Sequence, residues 1–386
     1  MNLVNGVCET PSPADSLAPL TRRCFGKSLL VGGSMALSSA AGLNAQGSAP
    51  RPGGPRLAAD HLSINSLTDD YLKYLKAMGV EVMDVGGAGV GGLEGSSYEA
   101  LVKIKRRVED AGFKLGEVMG NVGNMRQTSV GLPGRDAEIK AFQQFIRDLG
   151  KAGIGYTTYT WNTMGPGYQT GTTTTRGCQT RLFELSEVKK VPNLHDREHS
   201  EEEVWANYEY FIKRVLPVAE DAGVHLQAHP NDPPVTYGGV ARIFRSRQAF
   251  RRAMEISNHS PYSGLLFCMG CWGEMFGPDG KGEDIVGAIR EFGSRHIFDV
   301  HFRNLSSNLP NFSEVFPDNG YLNMYRIMRA LVEINYSGPV VPDHVPTCST
   351  EKPAVGTYHE VAPESFAFGY IRAMIQAAET ELGRRA

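Results

Sequence analysis

The sequence has no marked excess of either charge. Its 386 residues contain 39 lysines and arginines against 42 aspartates and glutamates, which gives a net charge of −3. A balance this even provides no electrostatic attraction toward nucleic acid or an anionic membrane, so neither is expected as a partner. Hydrophobic residues make up 41% of the chain and charged residues 21%, close to the averages of globular proteins, which excludes a wholly disordered chain.

Cysteine is scarce, and a dinucleotide-binding turn is missing. Six cysteines in 386 residues are too few for a disulfide scaffold. The glycine-rich run at residues 86–92 has no helix opening inside it, so we predict a loop there rather than a nucleotide site.

The N-terminal apolar run, residues 28–42, is too short and too rich in small residues to span a bilayer of about 30 Å. It follows the paired arginines Arg22 and Arg23 and precedes Leu43-Asn44-Ala45, which is typical of a cleavage site. The pattern resembles a twin-arginine (Tat) export signal. The alternatives are a short membrane anchor or a disordered tail on a cytoplasmic protein.

The export interpretation divides the chain into three parts. Residues 1–45 are the predicted signal, 46–57 a linker rich in proline and glycine, and 58–386 the catalytic domain. The mature protein is then expected in the periplasm or otherwise exported, without stable membrane insertion.

Eight β-rich runs alternate with helical patterns after the linker, which predicts a (β/α)8 TIM barrel rather than an open sheet. The predicted strands are 61–64, 81–85, 114–119, 155–160, 224–228, 264–268, 296–301 and 339–341. The predicted helices are 68–78, 98–111, 136–152, 201–222, 247–256, 284–292, 324–334 and 363–382. The long connection after the fourth strand, residues 161–200, is predicted to be a lid loop that carries Arg176 and Arg181.

Metal-ligand side chains stand at four consecutive predicted strand ends. His229 ends the fifth strand, Cys268 the sixth and His301 the seventh, and Asp343 follows the eighth. The carboxyl ends of barrel strands meet at one rim, where such side chains converge. Two imidazoles, a thiolate and a carboxylate suit a borderline divalent metal.

Each of these residues also has a simpler explanation. A single histidine at a strand end is more often a hydrogen-bonded core residue, Cys268 alone could be a small buried hydrophobe, and Asp343 could be a turn residue. Cys268 and Cys271 could instead form a C-x-x-C redox pair, although no thioredoxin-like context supports it. The metal hypothesis depends on all four residues sharing one rim.

At these residues the sequence resembles the mannonate dehydratases, which are metal-dependent lyases with a xylose isomerase-like TIM barrel. The resemblance extends in unbroken order from Trp205 to His344. The matching pieces are Leu216-Pro217-Val218-Ala219-Glu220, His229-Pro230-Asn231-Asp232-Pro233-Pro234, Arg242-Ile243, Cys268-Met269-Gly270, Glu291-Phe292-Gly293, His301-Phe302-Arg303, Asn319-Gly320, Met324-Tyr325 and Pro342-Asp343-His344.

The resemblance implies a set of roles. It makes His229, Cys268, His301 and Asp343 the metal ligands and places Arg303, Tyr325 and His344 near the substrate. We accordingly predict His344, Tyr325, Arg303 and Asp343 as catalytic residues and Asn231, Asp232, Arg303 and Arg176 as substrate-binding residues. The departures from the family pattern are Asn231 (usually Asp), Ser313 (usually His), Val341 (usually Arg) and Val345-Pro346 (usually Gly-His).

The implied reaction is the removal of water from a sugar acid such as D-mannonate to give a 2-keto-3-deoxy acid. The expected cofactor is a divalent metal, with Mn²⁺ favoured over Fe²⁺, Ni²⁺, Zn²⁺ and Mg²⁺, and the expected partner is a small carbohydrate. Imidazole titrates near neutrality, so His344 is the candidate acid or base. A metal-dependent sugar isomerase or epimerase, a lyase for another oxidised carbohydrate, and a non-catalytic periplasmic binding protein stay open as alternatives, as does assembly into a homo-oligomer.

Overall fold

The computed structural model describes residues 53–62, 67–86, 97–119, 124–161, 169–277, 280, 282–348 and 360–385. The predicted export signal, residues 1–45, lies outside the described residues. None of the helices in the described ranges is both long enough and apolar enough to cross a membrane.

The described residues form twelve strands and ten helices. The strands are β1 (Arg56–Leu62), β2 (Val82–Gly86), β3 (Lys114–Met119), β4 (Tyr156–Thr160), β5 (Gly171–Thr175), β6 (Cys178–Glu184), β7 (His225–His229), β8 (Ser263–Cys268), β9 (Ile297–Phe302), β10 (Asn304–Leu305), β11 (Asn311–Val315) and β12 (Pro339–Pro342). The helices are α1 (Asp69–Met78), α2 (Tyr98–Asp110), α3 (Arg135–Ala152), α4 (Leu185–Val188), α5 (Glu201–Ala222), α6 (Arg247–Ile256), α7 (Met269–Glu274), α8 (Ile285–His296), α9 (Met324–Glu333) and α10 (Val361–Glu381).

Eight parallel strands form a nearly closed barrel, which confirms the predicted fold. Their hydrogen-bonded order is β3-β2-β1-β12-β9-β8-β7-β4. The two end strands lie side by side, and Thr157 Oγ1 of β4 donates to the Val118 carbonyl of β3 at 2.9 Å. Each predicted strand overlaps an observed one, but β1 begins at Arg56, inside the predicted linker, because Arg56 and Leu57 pair with Pro339 and Val340 of β12.

Local sequence signals fix where the helices begin and end. Thr68 caps α1 by accepting a hydrogen bond from the backbone nitrogen of Tyr71, and Ser200 caps α5 in the same manner. Gly79 and Gly223 end these helices at φ +77° and +68°, the left-handed conformation that glycine adopts without steric cost. The buried faces of the helices then pack on the barrel and form one main hydrophobic core.

The connection after β4 is more ordered than a lid loop. Its described part, from residue 169 onward, contains β5, β6 and α4, and β6 pairs with β11 in an antiparallel sheet of order β10-β11-β6-β5. The threonines of residues 172–175 favour a strand because they are β-branched. A disulfide between Cys178 and Cys348 joins β6 to the segment that follows β12. Closure of this segment over the site stays a prediction.

Candidate active site

The barrel brings the four predicted metal ligands together at the carboxyl ends of β7, β8, β9 and β12. Cys268 and His301 are paired residues of β8 and β9. The ligand atoms of His229, Cys268 and His301 all lie within 4.8 Å of one another. Cys268 Sγ lies 3.5 Å from Asp343 Oδ2, and His301 Nδ1 lies 3.6 Å from Asp343 Oδ1. The convergence at one rim is therefore present in the structure.

Both histidine rings are oriented through one of their two nitrogens. His229 Nδ1 lies 2.6 Å from the Pro230 carbonyl oxygen, and His301 Nε2 lies 2.8 Å from Asp60 Oδ2. Metal-bound histidines usually have this arrangement, in which an acceptor fixes the ring and leaves the other nitrogen for the ion. Sequence reasoning missed Asp60, although a carboxylate inside the apolar strand β1 is a signal that could have identified it.

The charges around the cluster favour the ionised forms of its acidic ligands. Burial raises the pKa of the Cys268 thiol, but the hydrogen bond from Cys271 and the charge of Arg303 outweigh it, and the pKa falls well below its usual value. Burial opposes ionisation of Asp343 too, yet His344, His301 and Arg303 hold its pKa well below the usual range. A buried set of two imidazoles, a thiolate and a carboxylate fits a borderline divalent metal.

Arg303 lies at the centre of a second buried group, Asp232, Cys271 and Glu274. The ligand atoms of these three side chains also lie within 4.8 Å of one another. Arg303 Nη2 donates to Asp232 Oδ2 at 2.7 Å, to Glu274 Oε1 at 2.8 Å and to Cys271 Sγ at 3.3 Å. The guanidinium thus supplies the positive charge that these acceptors need, and we assign no second metal there.

Arg303 also connects the ligand cluster to the predicted acid or base. Its Nη1 donates to Glu314 Oε1 at 2.6 Å, and its Nε lies 3.3 Å from Asp343 Oδ2. Arg303 is 2% exposed as a residue. Burial disfavours its charge, but the surrounding acidic groups raise the pKa of Arg303 well above its usual value. Its contacts are therefore with the protein's own carboxylates rather than with open space for a substrate.

His344 follows Asp343 at φ +48°, a left-handed conformation uncommon for a non-glycine residue. Its Nδ1 lies 2.7 Å from Glu314 Oε1, and its Nε2 lies 3.5 Å from Asp343 Oδ1. A carboxylate on one ring nitrogen fixes the orientation of an imidazole that exchanges protons through the other. Glu314 was not predicted, because it lies on β11 of the antiparallel sheet and nothing in the local sequence links it to His344.

The other predicted substrate residues have separate places. Asn231 Nδ2 donates to the Trp161 carbonyl at 3.0 Å, and its Oδ1 accepts from the Phe244 nitrogen at 2.8 Å, so this amide holds two backbone segments together. Asp232 contacts Arg303, as described above. The structure therefore brings Asp232 into the site and gives Asn231 a bracing position beside it.

Arg176 and Tyr325 are not brought into the ligand cluster. Arg176 lies in the turn between β5 and β6, where its Nη2 donates to Asp318 Oδ2 at 2.6 Å. The hydroxyl of Tyr325 on α9 donates to Glu381 of α10, on the outer ring of helices. Arg181 of β6 lies nearer, with its Nε 3.8 Å from Glu314 Oε2 and its side chain 22% exposed.

Known relatives resemble the chain over most of its length. The mannonate dehydratase of Streptococcus equi subsp. zooepidemicus is 28% identical over 311 residues, which are 72% of this chain and 84% of the relative. The mannonate dehydratase of Thermotoga maritima is also 28% identical, over 70% of this chain and 84% of that relative. The crystal structure of mannonate dehydratase from Streptococcus suis serotype 2 superimposes with a TM-score of 0.76 at 23% identity, covering 86% of this chain and 96% of that one.

More distant structures share the fold alone. A xylose isomerase domain protein from Planctomyces limnophilus superimposes with a TM-score of 0.56 at 12% identity, over 86% of this chain and 99% of that one. The family model for D-mannonate dehydratase (UxuA), in contrast, matches residues 79–191 and 173–382, which is well over half of the sequence. The chain therefore belongs to the D-mannonate dehydratase family.

Proposed function

We propose that the protein is a metal-dependent hydro-lyase that removes water from a sugar acid such as D-mannonate and releases a 2-keto-3-deoxy acid. The observation that carries the proposal is the convergence of His229, Cys268, His301 and Asp343 beside the His344–Glu314 pair. Elimination of this kind needs a proton removed next to a carboxylate and a hydroxyl protonated as it leaves. A buried ligand set with an adjacent imidazole suits both requirements.

The four ligands would hold a divalent metal, for which we propose Mn²⁺, with Fe²⁺, Ni²⁺, Zn²⁺ and Mg²⁺ as the ions to compare. When bound, such an ion stabilises the negative charge that develops on the substrate carboxylate as the α-proton leaves. The thiolate of Cys268 and the carboxylate of Asp343 supply two negative charges, and the two rings are aimed by Pro230 and Asp60.

His344 exchanges the proton in this proposal. Glu314 Oε1 and Arg303 Nη1 both lie against Nδ1 of His344, which leaves Nε2 on the side of Asp343, where the substrate would approach the ligand cluster. Arg303 is a positioning residue, since it holds Asp343 and Glu314 at fixed places. Arg181 is the partly exposed cation beside Glu314, and we propose that it, rather than Arg176 or Tyr325, meets the anionic end of the substrate.

The experiment is incubation of metal-loaded protein with D-mannonate and related aldonates, with products identified by mass spectrometry as the loss of one water. We expect a 2-keto-3-deoxy acid, and a fall in kcat of about 10²–10⁴-fold for His344→Gln with metal content retained. Lys103→Ala, which removes an exposed charge from α2, serves as the control with normal turnover. Isomers of neutral sugars without a keto-deoxy acid would contradict the proposed dehydration.

We propose in addition that residues 1–45 direct export. The Cys178–Cys348 disulfide supports this, because disulfides persist in oxidising compartments such as the periplasm. Cell fractionation should recover mature protein in the periplasm, and replacing Arg22 and Arg23 by lysine should retain it inside the cell. Periplasmic recovery of the lysine variant at the wild-type level would argue against a twin-arginine signal.

A further inference from the structure

A cavity of about 390 Å³ opens at the end of the barrel opposite to the metal ligands. Its lining includes the first residues of several strands, among them Lys114 of β3, Tyr156 of β4 and His225 of β7. His225 begins the strand that His229 ends, so roughly 13 Å of strand separates this cavity from the ligand cluster at about 3.3 Å per residue. Its volume lies in the range of small-molecule sites and far exceeds the space of a single water.

Two buried side-chain oxygens at the floor of the cavity have no hydrogen-bond partner among the described residues. Gln227 and Asp299 line it, and each is 1% exposed. Gln227 Oε1 and Asp299 Oδ2 are buried and have no donor among the described residues, while Gln227 Nε2 is already used by Glu117 Oε2 at 2.7 Å. Because buried polar atoms are rarely left unsatisfied, this floor suits a ligand with hydroxyl groups, which can both donate and accept hydrogen bonds.

A single metal ion does not suit this floor. Among the described residues, the acidic, histidine and cysteine groups close enough to share one ion are the two groups at the other end of the barrel. The carboxylates of Asp84, Glu117 and Asp299 do not converge in that way. Hydroxyl groups spaced along one molecule can instead reach acceptors that lie apart.

Aromatic rings form part of the wall of the cavity, and two cationic side chains lie at its rim. The ring of Tyr156 stacks on His225 with centroids 4.7 Å apart and meets Phe298 edge-on at 5.7 Å, so apolar ring surface borders the cavity. Lys114 and Arg295 are exposed at the rim. Arg295 Nη2 donates to the His259 carbonyl, an uncharged acceptor, so its charge is available to an anion.

We propose that this cavity binds a small polyhydroxy carboxylate, with its hydroxyls on Gln227 and Asp299 and its carboxylate at one of the two rim cations, Lys114 at the start of β3 or Arg295 before β9, which lie on different sides of the barrel mouth. The site is independent of the reaction proposed for the opposite end of the barrel. Failure of dehydration would leave it untouched, and failure of binding here would leave the dehydration proposal intact.

The test uses the metal-loaded full chain and three probes: D-gluconate, sorbitol, which keeps the hydroxyls but lacks the carboxylate, and propionate, which keeps only the carboxylate. Soaked crystals should show gluconate in the cavity. Calorimetry should resolve a binding event that is at least about tenfold weaker for sorbitol, consistent with loss of a charge-assisted contact, and absent for propionate.

The double variant Lys114→Ala, Arg295→Ala should weaken gluconate binding at this site at least about tenfold and leave turnover unchanged. Its matched control is Lys103→Ala, Arg106→Ala, which removes two exposed charges from α2 and should bind gluconate normally. Only ordered water in the soaked cavity, or equal affinity of the rim and control variants, would overturn the proposal. Equal affinity for gluconate and sorbitol would overturn it as well.

Discussion

Arg303→Met removes the guanidinium that four buried acidic side chains share. In the wild type its nitrogens lie 2.7 Å from Asp232, 2.8 Å from Glu274, 2.6 Å from Glu314 and 3.3 Å from Asp343. All four acidic residues are 5% exposed or less, so water cannot replace the lost charge. We expect this variant to lose more stability than a variant in which an exposed arginine is replaced.

The size of the effect follows from the burial of the pair. Removing one partner of a buried ion pair costs about 3–5 kcal/mol, because the charge left behind is uncompensated. Four carboxylates do not multiply this figure, since a buried carboxyl group can take up a proton instead of staying charged. We therefore expect the free energy of unfolding to fall by about 3–5 kcal/mol.

Arg290→Met is the matched control. Arg290 on α8 pairs with Glu333 at 2.8 Å, but its side chain is 54% exposed, so its removal should cost about 1 kcal/mol or less. Both variants are unfolded in urea with a chelator present. If Arg303→Met does not fold, Arg303→Lys, which keeps the charge but loses the fork of donors, gives a lower bound on the loss. Equal losses for Arg303 and Arg290 variants would refute the role of the shared guanidinium.

Three further predictions concern other parts of the chain. Burial raises the pKa of Glu364 to about 7, so ionisation of this carboxyl group opposes folding as the pH rises from 4.5 through 7. In urea unfolding, Glu364→Gln should be up to about 3 kcal/mol more stable than the wild type at pH 8.5 and little different at pH 4.5 or below. A difference that does not change with pH would contradict this. The double variant Cys178→Ser, Cys348→Ser should lower the free energy of unfolding by about 2–5 kcal/mol. A loss no larger than the experimental error of that free energy would show that the disulfide does not stabilise the fold. Tyr325→Phe should change kcat less than about twofold, because the hydroxyl binds Glu381 rather than the ligand cluster, and a large loss would restore it to the site.

The barrel was predictable because its signals are local. Eight β-rich runs alternate along the chain with helices whose apolar residues are periodic, and several of those helices have a capping residue or end at a glycine such as Gly79 or Gly223. The antiparallel sheet was not predictable, because β6 pairs with β11, more than a hundred residues away, and no local pattern encodes that register. A sequence separation of 170 residues likewise hid the pairing of Cys178 with Cys348.

Strand order explains which site residues could be predicted. His229, Cys268, His301 and Asp343 sit where consecutive strands end, so topology alone brings them together. The role predicted for Tyr325 rested on family resemblance alone, with no strand end to fix its position, and the residue lies on an outer helix. Glu314 and Glu274 were missed because their places depend on β11 and on the short helix α7, neither of which the sequence pattern indicated.

Asp343 and Glu314 share the positive charge of Arg303, so a substitution of Asp343 disturbs two groups at once. Asp343 contacts Arg303, which also holds Glu314, the carboxylate that orients His344. Loss of activity in Asp343→Ala therefore combines a lost ligand with a disturbed proton-exchanging pair, and activity alone cannot assign it.

His229→Ala separates the two effects, because the His229 ring is held by the Pro230 carbonyl rather than by Arg303. Elemental analysis should show metal lost from both variants. Excess metal should restore part of the turnover in His229→Ala and much less in Asp343→Ala, since no added ion rebuilds the contact with Arg303. Equal recovery in both would mean that Arg303 does not couple the ligand to the acid–base pair, and retained metal in either would remove that residue from the ligand set.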